Sequence, residues 1–230
     1  MITLALDTST RTGGCAVLHG DDVLAELPGD VARTHAERLP GDLMAVLDRA
    51  RLALPAVDVF AVAIGPGSFT GLRVGIATMQ GLALAAGRPL VGVSVLDALA
   101  RAAGGAGGAG GRVATWMDAW RGEVFDALYD GVREVQGASV EPPEAILARL
   151  RGTPTLFIGD GAAVHRAAIS AAMGSHGVLA PVLEPPLAGI IGRLARGEID
   201  AGRRPGPAEI QPLYVRRPDV ELVRDARVER

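Results

Sequence analysis

The segment GPGSFTGLRVGIATMQGLALAAG, residues 65–87, decides the fold of this chain. It follows an apolar run, Val57 to Ile64, that predicts a buried strand, and it continues into an Ala/Leu-rich stretch that predicts a helix. Glycine reaches backbone conformations closed to other residues and proline fixes φ, so the loop between them has a strongly constrained shape. A constrained loop between a strand and a helix is where α/β proteins bind phosphates or partners.

The known phosphate loops do not match this segment. A Walker A loop requires Gly-Lys-Ser/Thr, but Leu72 and Arg73 follow Gly71, and the chain contains no lysine. The dinucleotide fingerprint is GxGxxG, whereas the segment reads GxGxxxG without the acidic residue that should follow. Ser68 does not stand in a GxSxG nucleophile elbow. Two interpretations remain open: the loop binds a ligand, or it packs the helix tightly on the sheet.

Composition limits the other possibilities. The 230 residues are enough for a substantial core, and 49% hydrophobic with only 3% aromatic residues predicts a core of Ala, Val, Leu and Ile. A net charge of −3 argues against a protein that binds nucleic acid by bulk charge alone. The single cysteine, Cys15, predicts a reduced, buried thiol. Because neither a signal peptide nor a membrane-spanning segment is visible, we expect a cytoplasmic protein without membrane contact.

The order of predicted elements is that of an α/β protein with two lobes. A strand, a polar turn (residues 7–14), a hairpin and an amphipathic helix precede the segment 65–87, and a strand and a helix follow it. The glycine run GGAGGAGG, residues 104–111, predicts a flexible loop between the lobes. We therefore expect an N-terminal lobe over 1–103, a C-terminal lobe over 112–217 and a mobile charged tail over 218–230.

Several motifs together resemble one known family, the bacterial TsaB proteins. They are ALDTST, THAERLP (34–40), the segment 65–87, VGVSVLDALA, DAWRGEVFDALYD and PLYVRRP. Their order and spacing are similar to those of TsaB proteins over nearly the whole chain. The resemblance implies the actin-like/Hsp70-like/sugar-kinase fold of two ribonuclease-H-like lobes, with mixed sheets flanked by helices. It also implies a part in forming threonylcarbamoyladenosine at the tRNA adenosine beside the anticodon.

The resemblance further implies the partners and the division of labour. A TsaD-type paralogue would carry the metal and the transfer chemistry, a TsaE-type ATPase would join the pair, and tRNA would be reached only through the complex. This chain would be a noncatalytic scaffold without a cofactor, homodimeric when alone. The alternative is an actin-like ATP-dependent phosphotransferase of a small molecule, for which Asp118 and Asp160 are the candidate bases. A metallopeptidase, the third possibility, would require bound zinc.

The histidines do not form the metal motif of TsaD-type proteins, which is HxxxH on one helix face. The chain has four histidines but no pair at this spacing, and Leu39 stands four residues after His35. We therefore predict no metal site. Thr34 as helix N-cap and Glu37 as capping-box acceptor give this stretch a structural role.

The first turn resembles the phosphate loop of actin-like enzymes in residue type. Its aspartate, serine and threonines are present, but the β-branched Thr8 replaces the usual glycine and restricts close approach of a phosphate. In the second half, GDGA (159–162) is the predicted remnant of a second loop. We expect a degenerate nucleotide cleft. The predicted vestigial nucleotide loop comprises Asp7, Thr8, Ser9, Thr10, Gly65 and Gly67.

A chain without chemistry must act through its surface, and the two first-lobe helices are the predicted interface with the TsaD-type partner. On the second helix, small residues recur at i, i+4 and i+8, which allows another helix to approach closely. The predicted interface comprises Met44, Leu47, Arg51, Val74, Ala77, Met79, Gly81, Leu82 and Ala85. The competing interpretation is that half of these side chains cover only the sheet of their own lobe.

Overall fold

The computed structural model describes residues 1–107 and 111–216, which form two five-stranded mixed sheets with helices on both faces. The strands are β1 (Ile2–Asp7), β2 (Gly14–His19), β3 (Asp22–Pro28), β4 (Val59–Gly65), β5 (Leu90–Ser94), β6 (Arg112–Asp118), β7 (Val124–Asp130), β8 (Arg133–Glu141), β9 (Thr155–Ile158) and β10 (Gly177–Leu179). The helices are α1 (His35–Arg49), α2 (Phe69–Ala86), α3 (Val95–Gly107), α4 (Pro143–Leu150), α5 (Asp160–Val164), α6 (Arg166–Met173) and α7 (Ala188–Asp200).

The two sheets repeat one topology. The first sheet has the order β3-β2-β1-β4-β5, and the second, starting from its β8 edge, has the order β8-β7-β6-β9-β10. In both, the first three strands pair antiparallel and the last two join in parallel. The predicted α/β fold of two lobes with mixed sheets is confirmed. The repeat also makes the β1–β2 turn of the first lobe the counterpart of the β6–β7 turn of the second.

The two sheets separate three hydrophobic cores. α1 and α2 cover the outer face of the first sheet, in a core that includes Leu39 and Phe60. α4 and α6 contribute to the core on the outer face of the second sheet, around Trp116 and Phe157. α3 and α7 lie between the two sheets and share a third core with both. Strands β1 and β4 are therefore buried on both faces, which explains their unbroken apolar sequences.

The last helix returns to the first sheet. α7 packs on β1 and β2, and Gly192 permits this approach, because a Cβ there would lie 2.4 Å from Leu18 Cδ1. The chain then continues along the first lobe, where the Leu213 N–H donates to the carbonyl of Ile64 at 2.7 Å. α7 and the segment after it, which the prediction placed in the C-terminal lobe, therefore contact the first sheet.

The glycine run is only partly described, and its first part corrects the prediction of a loop over 104–111. α3 continues through Gly107, so residues 104–107 are helical and not part of a loop. The helix is anchored by an apolar face, formed by Val95, Leu96, Leu99 and Ala103, that is buried between the sheets. Residues 108–110 lie outside the described residues, and so does the tail predicted over 218–230.

A buried carboxylate lies in the second sheet. Asp126 on β7 is fully buried, and its Oδ1 accepts a hydrogen bond from Trp116 Nε1 at 2.7 Å. Its Oδ2 lies 3.4 Å from the Gln136 amide nitrogen and 3.9 Å from the Arg149 guanidinium. Burial raises the pKa of Asp126 to about 6, although the hydrogen bond from Trp116 and the charge of Arg149 oppose the rise. The second lobe therefore carries a titratable group in its core.

Candidate functional site

The β1–β2 turn holds most of the predicted vestigial nucleotide loop, and its side chains are turned inward. Asp7 is 4% exposed, and its Oδ1 accepts a hydrogen bond from the Ser9 N–H at 2.8 Å. Burial raises the pKa of Asp7, and the hydrogen bond from the Ser9 N–H only partly opposes this. Thr8 and Ser9 are also buried, and their hydroxyl oxygens have no hydrogen-bond partner among the described residues.

The glycines of the segment 65–87 pack against this turn. A Cβ on Gly67 would lie 2.4 Å from the Ser9 carbonyl oxygen, and one on Gly71 would lie 2.3 Å from the Thr8 carbonyl oxygen. One helical turn further, a Cβ on Gly75 would lie 2.1 Å from Thr8 Oγ1. Any side chain at these positions would push α2 away from the sheet. The second interpretation of the glycine loop, tight packing of helix on sheet, accounts for these three glycines.

A buried arginine, Arg38, forms hydrogen bonds to the other side of the turn. Arg38 on α1 is 2% exposed and donates to the Thr12 carbonyl, to Asp42 Oδ2 and to His35 Nδ1. Because arginine only donates, His35 Nδ1 accepts and Nε2 carries the proton that it donates to the Thr10 carbonyl at 2.9 Å. Burial and the charge of Arg38 lower the pKa of His35. Both ring nitrogens are therefore engaged in fixing the turn.

The sequence around His35 has the structural role that was predicted for it. The Glu37 carboxylate accepts hydrogen bonds from the Thr34 N–H at 2.8 Å and from Thr34 Oγ1 at 2.7 Å, at the start of α1. Leu39, which stands where a second histidine would be, is buried in the outer core of the first lobe. Across residues 1–107 and 111–216, no three His, Cys, Asp or Glu side chains are grouped so that they could hold a metal ion.

In the second lobe, the repeat places the counterpart of the phosphate turn at residues 118–123, and not at GDGA. GDGA follows β9, which corresponds to β4, and it packs as the 65–71 loop does. A Cβ on Gly159 would lie 2.0 Å from the Trp116 carbonyl oxygen. Asp160 Oδ1 accepts from the N–H groups of Asp118 (3.0 Å) and Gly161 (2.8 Å). The sequence alone did not reveal the repeat, because the two halves share topology without an obvious common motif.

The cleft between the lobes at Asp7 is lined by acidic groups. Its volume is about 460 Å³, and four carboxylic acids, Asp7, Glu26, Asp160 and Glu184, contribute to its wall. None of its described lining residues is basic. Desolvation raises the pKa of Asp160, as it does that of Asp7. Such a lining binds a nucleotide triphosphate only together with cations that offset the negative charges of both.

The candidate bases of the phosphotransferase alternative are engaged in the local structure. Asp160 Oδ1 holds two backbone N–H groups, and Asp118 Oδ1 accepts from the Trp120 N–H at 2.9 Å. Both carboxylates therefore shape the second-lobe turns.

The predicted partner interface divides into exposed and buried residues. Met44, Arg51, Ala77, Gly81 and Ala85 are exposed, Val74 and Leu82 are half-buried, and Leu47 and Met79 are buried. Leu47 (1% exposed) and Met79 (0%) belong to the outer core of the first lobe, so their inclusion in the interface was wrong. Their positions continue the i/i+3/i+4 stripes by which α1 and α2 cover the first sheet.

The outer face of α2 carries one residue that sequence reasoning missed. Leu84 is 74% exposed, and it stands seven residues after Ala77, on the same helix face as Gly81 and Ala85. Within residues 1–107 and 111–216, nothing lies within 4 Å of the position of a Cβ on Gly81, in contrast to Gly71 and Gly75. Glycine inside a helix costs about 1 kcal/mol relative to alanine. No contact within the described chain explains Gly81.

The comparisons with known proteins agree with the fold. A family model described as "TsaD: tRNA N6-adenosine threonylcarbamoyltransferase" matches residues 26–180. The chain is 35% identical to an uncharacterised protein of Mycobacterium tuberculosis over 221 residues, covering 95% of this chain and 93% of that one. It is 30% identical to the tRNA threonylcarbamoyladenosine biosynthesis protein TsaB of Bacillus subtilis over 190 residues, covering 78% and 80% of the two chains.

Solved structures give the same result. YeaZ from Pseudomonas aeruginosa has a TM-score of 0.74 and 32% identity, covering 93% of this chain and 99% of that chain. The activator of 2-hydroxyisocaproyl-CoA dehydratase from Clostridium difficile, with bound ADPNP, has a TM-score of 0.55 at 9% identity over 93% of this chain and 99% of that chain, and it shares the actin-like fold alone. No helix in residues 1–107 or 111–216 has the length and apolar character needed to cross a bilayer. From the two lobes, the motifs and these relatives, the chain belongs to the TsaB family.

Proposed function

We propose that this chain is a noncatalytic partner subunit of a complex that forms threonylcarbamoyladenosine in tRNA, where it binds and supports a TsaD-type transferase. The proposed process is the one in the names of two relatives, which are called tRNA threonylcarbamoyladenosine biosynthesis protein TsaB. The single observation that carries the role is the outer face of α2, where Ala77, Gly81 and Ala85 are exposed beside Leu84. This face offers close helix approach and an apolar anchor, and no described residue lies within 4 Å of a Cβ built on Gly81.

The cleft supports the noncatalytic part of the proposal. A phosphotransferase needs cations or polar donors where the phosphates bind. The described lining of the cleft at Asp7 has the hydroxyls of Thr10 and Thr12 but four carboxylic acids and no basic side chain. α2 and the loop before it pack directly against the first-lobe turn, because the glycines at 67, 71 and 75 let them approach Thr8 and Ser9 closely. The acidic lining of the cleft at Asp7, with no basic side chain among its described residues, is what supports a noncatalytic role for this actin-like architecture.

The remaining partners follow from the same role. α1 contributes Met44, which is 56% exposed, and Gly41, whose Cβ position has no neighbour within 4 Å, so the surface extends across both helices. We propose that this surface binds the TsaD-type paralogue and closes as a homodimer when the chain is alone. A TsaE-type ATPase would join the heterodimer, and tRNA would be bound by the assembly in the cytoplasm.

The deciding experiment is reconstituted tRNA modification with matched glycine variants. Gly81→Asp places a charge on the outer face of α2, and Gly197→Asp places the same charge on α7. Gly197 is a fair control because it is also exposed, lies inside a helix and has an open Cβ position. Each variant is combined with TsaC-, TsaD- and TsaE-type proteins, and threonylcarbamoyladenosine is measured after digestion of the tRNA.

We expect modification to require this chain, to persist with Gly197→Asp and with Asp7→Ala, and to fall at least tenfold with Gly81→Asp. Co-purification with the TsaD-type protein should fall in parallel, because a buried unpaired charge is costly at a helix interface. Modification that is independent of the chain would refute the proposed process. Modification that survives Gly81→Asp but requires Asp7 would refute the noncatalytic role.

A further inference from the structure

A second cavity lies between the lobes, on the other side of Thr10 from the acidic cleft. It has a volume of about 560 Å³, and both lobes contribute to it. The first lobe supplies residues 9–11, the stretch 31–36 and the start of α2, and the second lobe supplies Met117, Asp118, Trp120 and Asp160. This volume is within the range of small-molecule sites. Its wall differs in charge from that of the acidic cleft.

The second-lobe wall is built around an exposed tryptophan. Trp120 is 55% exposed, while the other tryptophan of the chain, Trp116, is fully buried. Trp120 and Arg121 have φ of 56° and 58°, in the left-handed region that non-glycine residues seldom adopt. Such a backbone persists where surrounding contacts impose it, and it is enriched at functional sites.

Those contacts are visible on both sides of the tryptophan. The Trp120 N–H donates to Asp118 Oδ1 at 2.9 Å, and its carbonyl accepts from the Glu123 N–H at 3.1 Å. Arg216 braces the turn from outside, since it donates to the Ala119 carbonyl at 2.7 Å and pairs with the Glu123 carboxylate. The backbone that carries Trp120 into the cavity wall is thus held in an ordered turn.

The charges of the cavity are separated between the two lobes. Arg11 and Arg33 line the first-lobe side, where each donates to a backbone carbonyl and neither forms an ion pair with a described carboxylate. Asp118 and Asp160 line the second-lobe side together with Trp120. A ligand that complements this wall has an anionic end, a planar aromatic body and hydrogen-bond donors at the far end.

We propose that this cavity binds a nucleoside monophosphate unit whose base carries an exocyclic amino group. The base stacks on the Trp120 indole, and its amino group donates a hydrogen bond to the carboxylate of Asp118 or Asp160. The phosphate lies against Arg11 and Arg33. Base stacking on an aromatic side chain and arginine contact with phosphate are the common elements of recognition of unpaired nucleotides. The inference goes beyond the scaffold role, since it gives the chain a ligand of its own.

The fluorescence of the protein provides a direct test, because Trp120 is the exposed one of its two tryptophans. Acrylamide quenching of the full chain is measured with adenosine 5′-monophosphate, with ribose 5-phosphate, and with an RNA stem-loop that has unpaired adenosines in its loop. Binding of the stem-loop and the nucleotide to Trp120→Ala and to the double variant Arg11→Ala/Arg33→Ala is measured by calorimetry. Arg88→Ala is the control, since Arg88 is exposed and does not line the cavity.

We expect the nucleotide or the stem-loop to protect Trp120 from quenching, and ribose 5-phosphate to protect it much less. Trp120→Ala and the double arginine variant should each weaken binding by about tenfold or more, and Arg88→Ala should not change it. Protection by the stem-loop alone identifies RNA as the source of the nucleotide, and protection by the monophosphate alone identifies a free nucleotide. Absence of protection by both, or unchanged binding in Trp120→Ala, would overturn the proposal.

Heterodimer formation is followed in the same preparations. Trp120→Ala should still co-purify with the TsaD-type protein, because Trp120 lies outside the face of α2 that carries Gly81. A failure of the cavity proposal would therefore leave the scaffold role standing, and a failure of heterodimer formation would leave the cavity proposal standing.

Discussion

Replacing Gly75 with alanine should destabilise the protein, whereas the same replacement at Gly81 should stabilise it. Both residues lie inside α2 and gain the same methyl group. A Cβ on Gly75 would lie 2.1 Å from Thr8 Oγ1 and 3.0 Å from Thr8 Cγ2, and Thr8 is fully buried. A Cβ on Gly81 meets nothing within 4 Å. The pair therefore separates the helical preference for alanine from the packing of α2 on the first turn.

The magnitudes follow from the two terms. Alanine stabilises a helix interior by about 1 kcal/mol relative to glycine, and this is the whole effect at Gly81. In a chain of this size it should raise the Tm by about 2–4 °C. Overpacking of a core costs about 1–3 kcal/mol, and a contact as short as that at Gly75 belongs at the upper end of that range. The net loss for Gly75→Ala is then about 2 kcal/mol, or a fall in Tm of about 4–8 °C.

Thermal and urea unfolding of the two variants measure these changes. A third and a fourth variant, Thr8→Ala alone and combined with Gly75→Ala, test the contact itself, because removing Oγ1 and Cγ2 makes room for the new methyl group. The coupling free energy in this cycle should exceed 1 kcal/mol. If Gly75→Ala is as stable as Gly81→Ala, or if the cycle shows no coupling, α2 does not pack on the turn as described.

Three further predictions concern buried polar groups. As the pH falls from above 6 to below 3.8, the unfolding free energy of the wild type should rise relative to that of Asp126→Asn by about 3 kcal/mol, measured by urea unfolding at each pH. The sign follows because the folded state, with the raised pKa, binds the proton before the unfolded state does; a flat difference would contradict the buried carboxylate. Cys15 should resist alkylation at pH 8 until the protein unfolds, because burial raises its pKa to about 12 and its Sγ lies 3.5 Å from the Asp42 carbonyl oxygen; rapid labelling of the folded protein would refute this. Arg38→Met should lower the unfolding free energy by about 3 kcal/mol in urea titrations, because Thr12, His35 and Asp42 lose their hydrogen-bond donor. A change below about 1 kcal/mol would show that the hydrogen bonds of Arg38 contribute little to stability.

The local features of the fold could be predicted from the sequence because they depend on neighbouring residues. Thr34 and Glu37 are three residues apart, and their hydrogen bonds form within one helical turn. The helix after the glycine loop follows in the same way from its composition. In the structure Ser68 caps this helix, and its Oγ accepts from the Gly71 N–H. These interactions are the same in any tertiary setting, so pattern reasoning finds them.

The predictions that were wrong concern features that depend on which helix packs on which sheet. Leu47 and Met79 were assigned to a partner surface because periodicity gives the width of an apolar stripe without showing how much of it the protein's own sheet covers. α7 likewise has a clear apolar face, but nothing in that face indicates that it packs on the first sheet rather than on its own. The Arg216 brace on the second-lobe turn joins residues almost a hundred positions apart, which no local pattern reports.

The glycines connect the fold with the proposed function. Gly67, Gly71, Gly75, Gly159 and Gly161 are each required by an atom of the opposing turn or strand, so a substitution there damages the lobe itself. Gly81 lies in the same helix as two of them and has no such atom. A mid-helix glycine that costs stability and serves no internal contact is explained by a surface that must come close to something else. If Gly81→Ala stabilises the free chain and weakens its complex with the TsaD-type protein, the partner requires that glycine; if it stabilises both, the partner surface lies elsewhere.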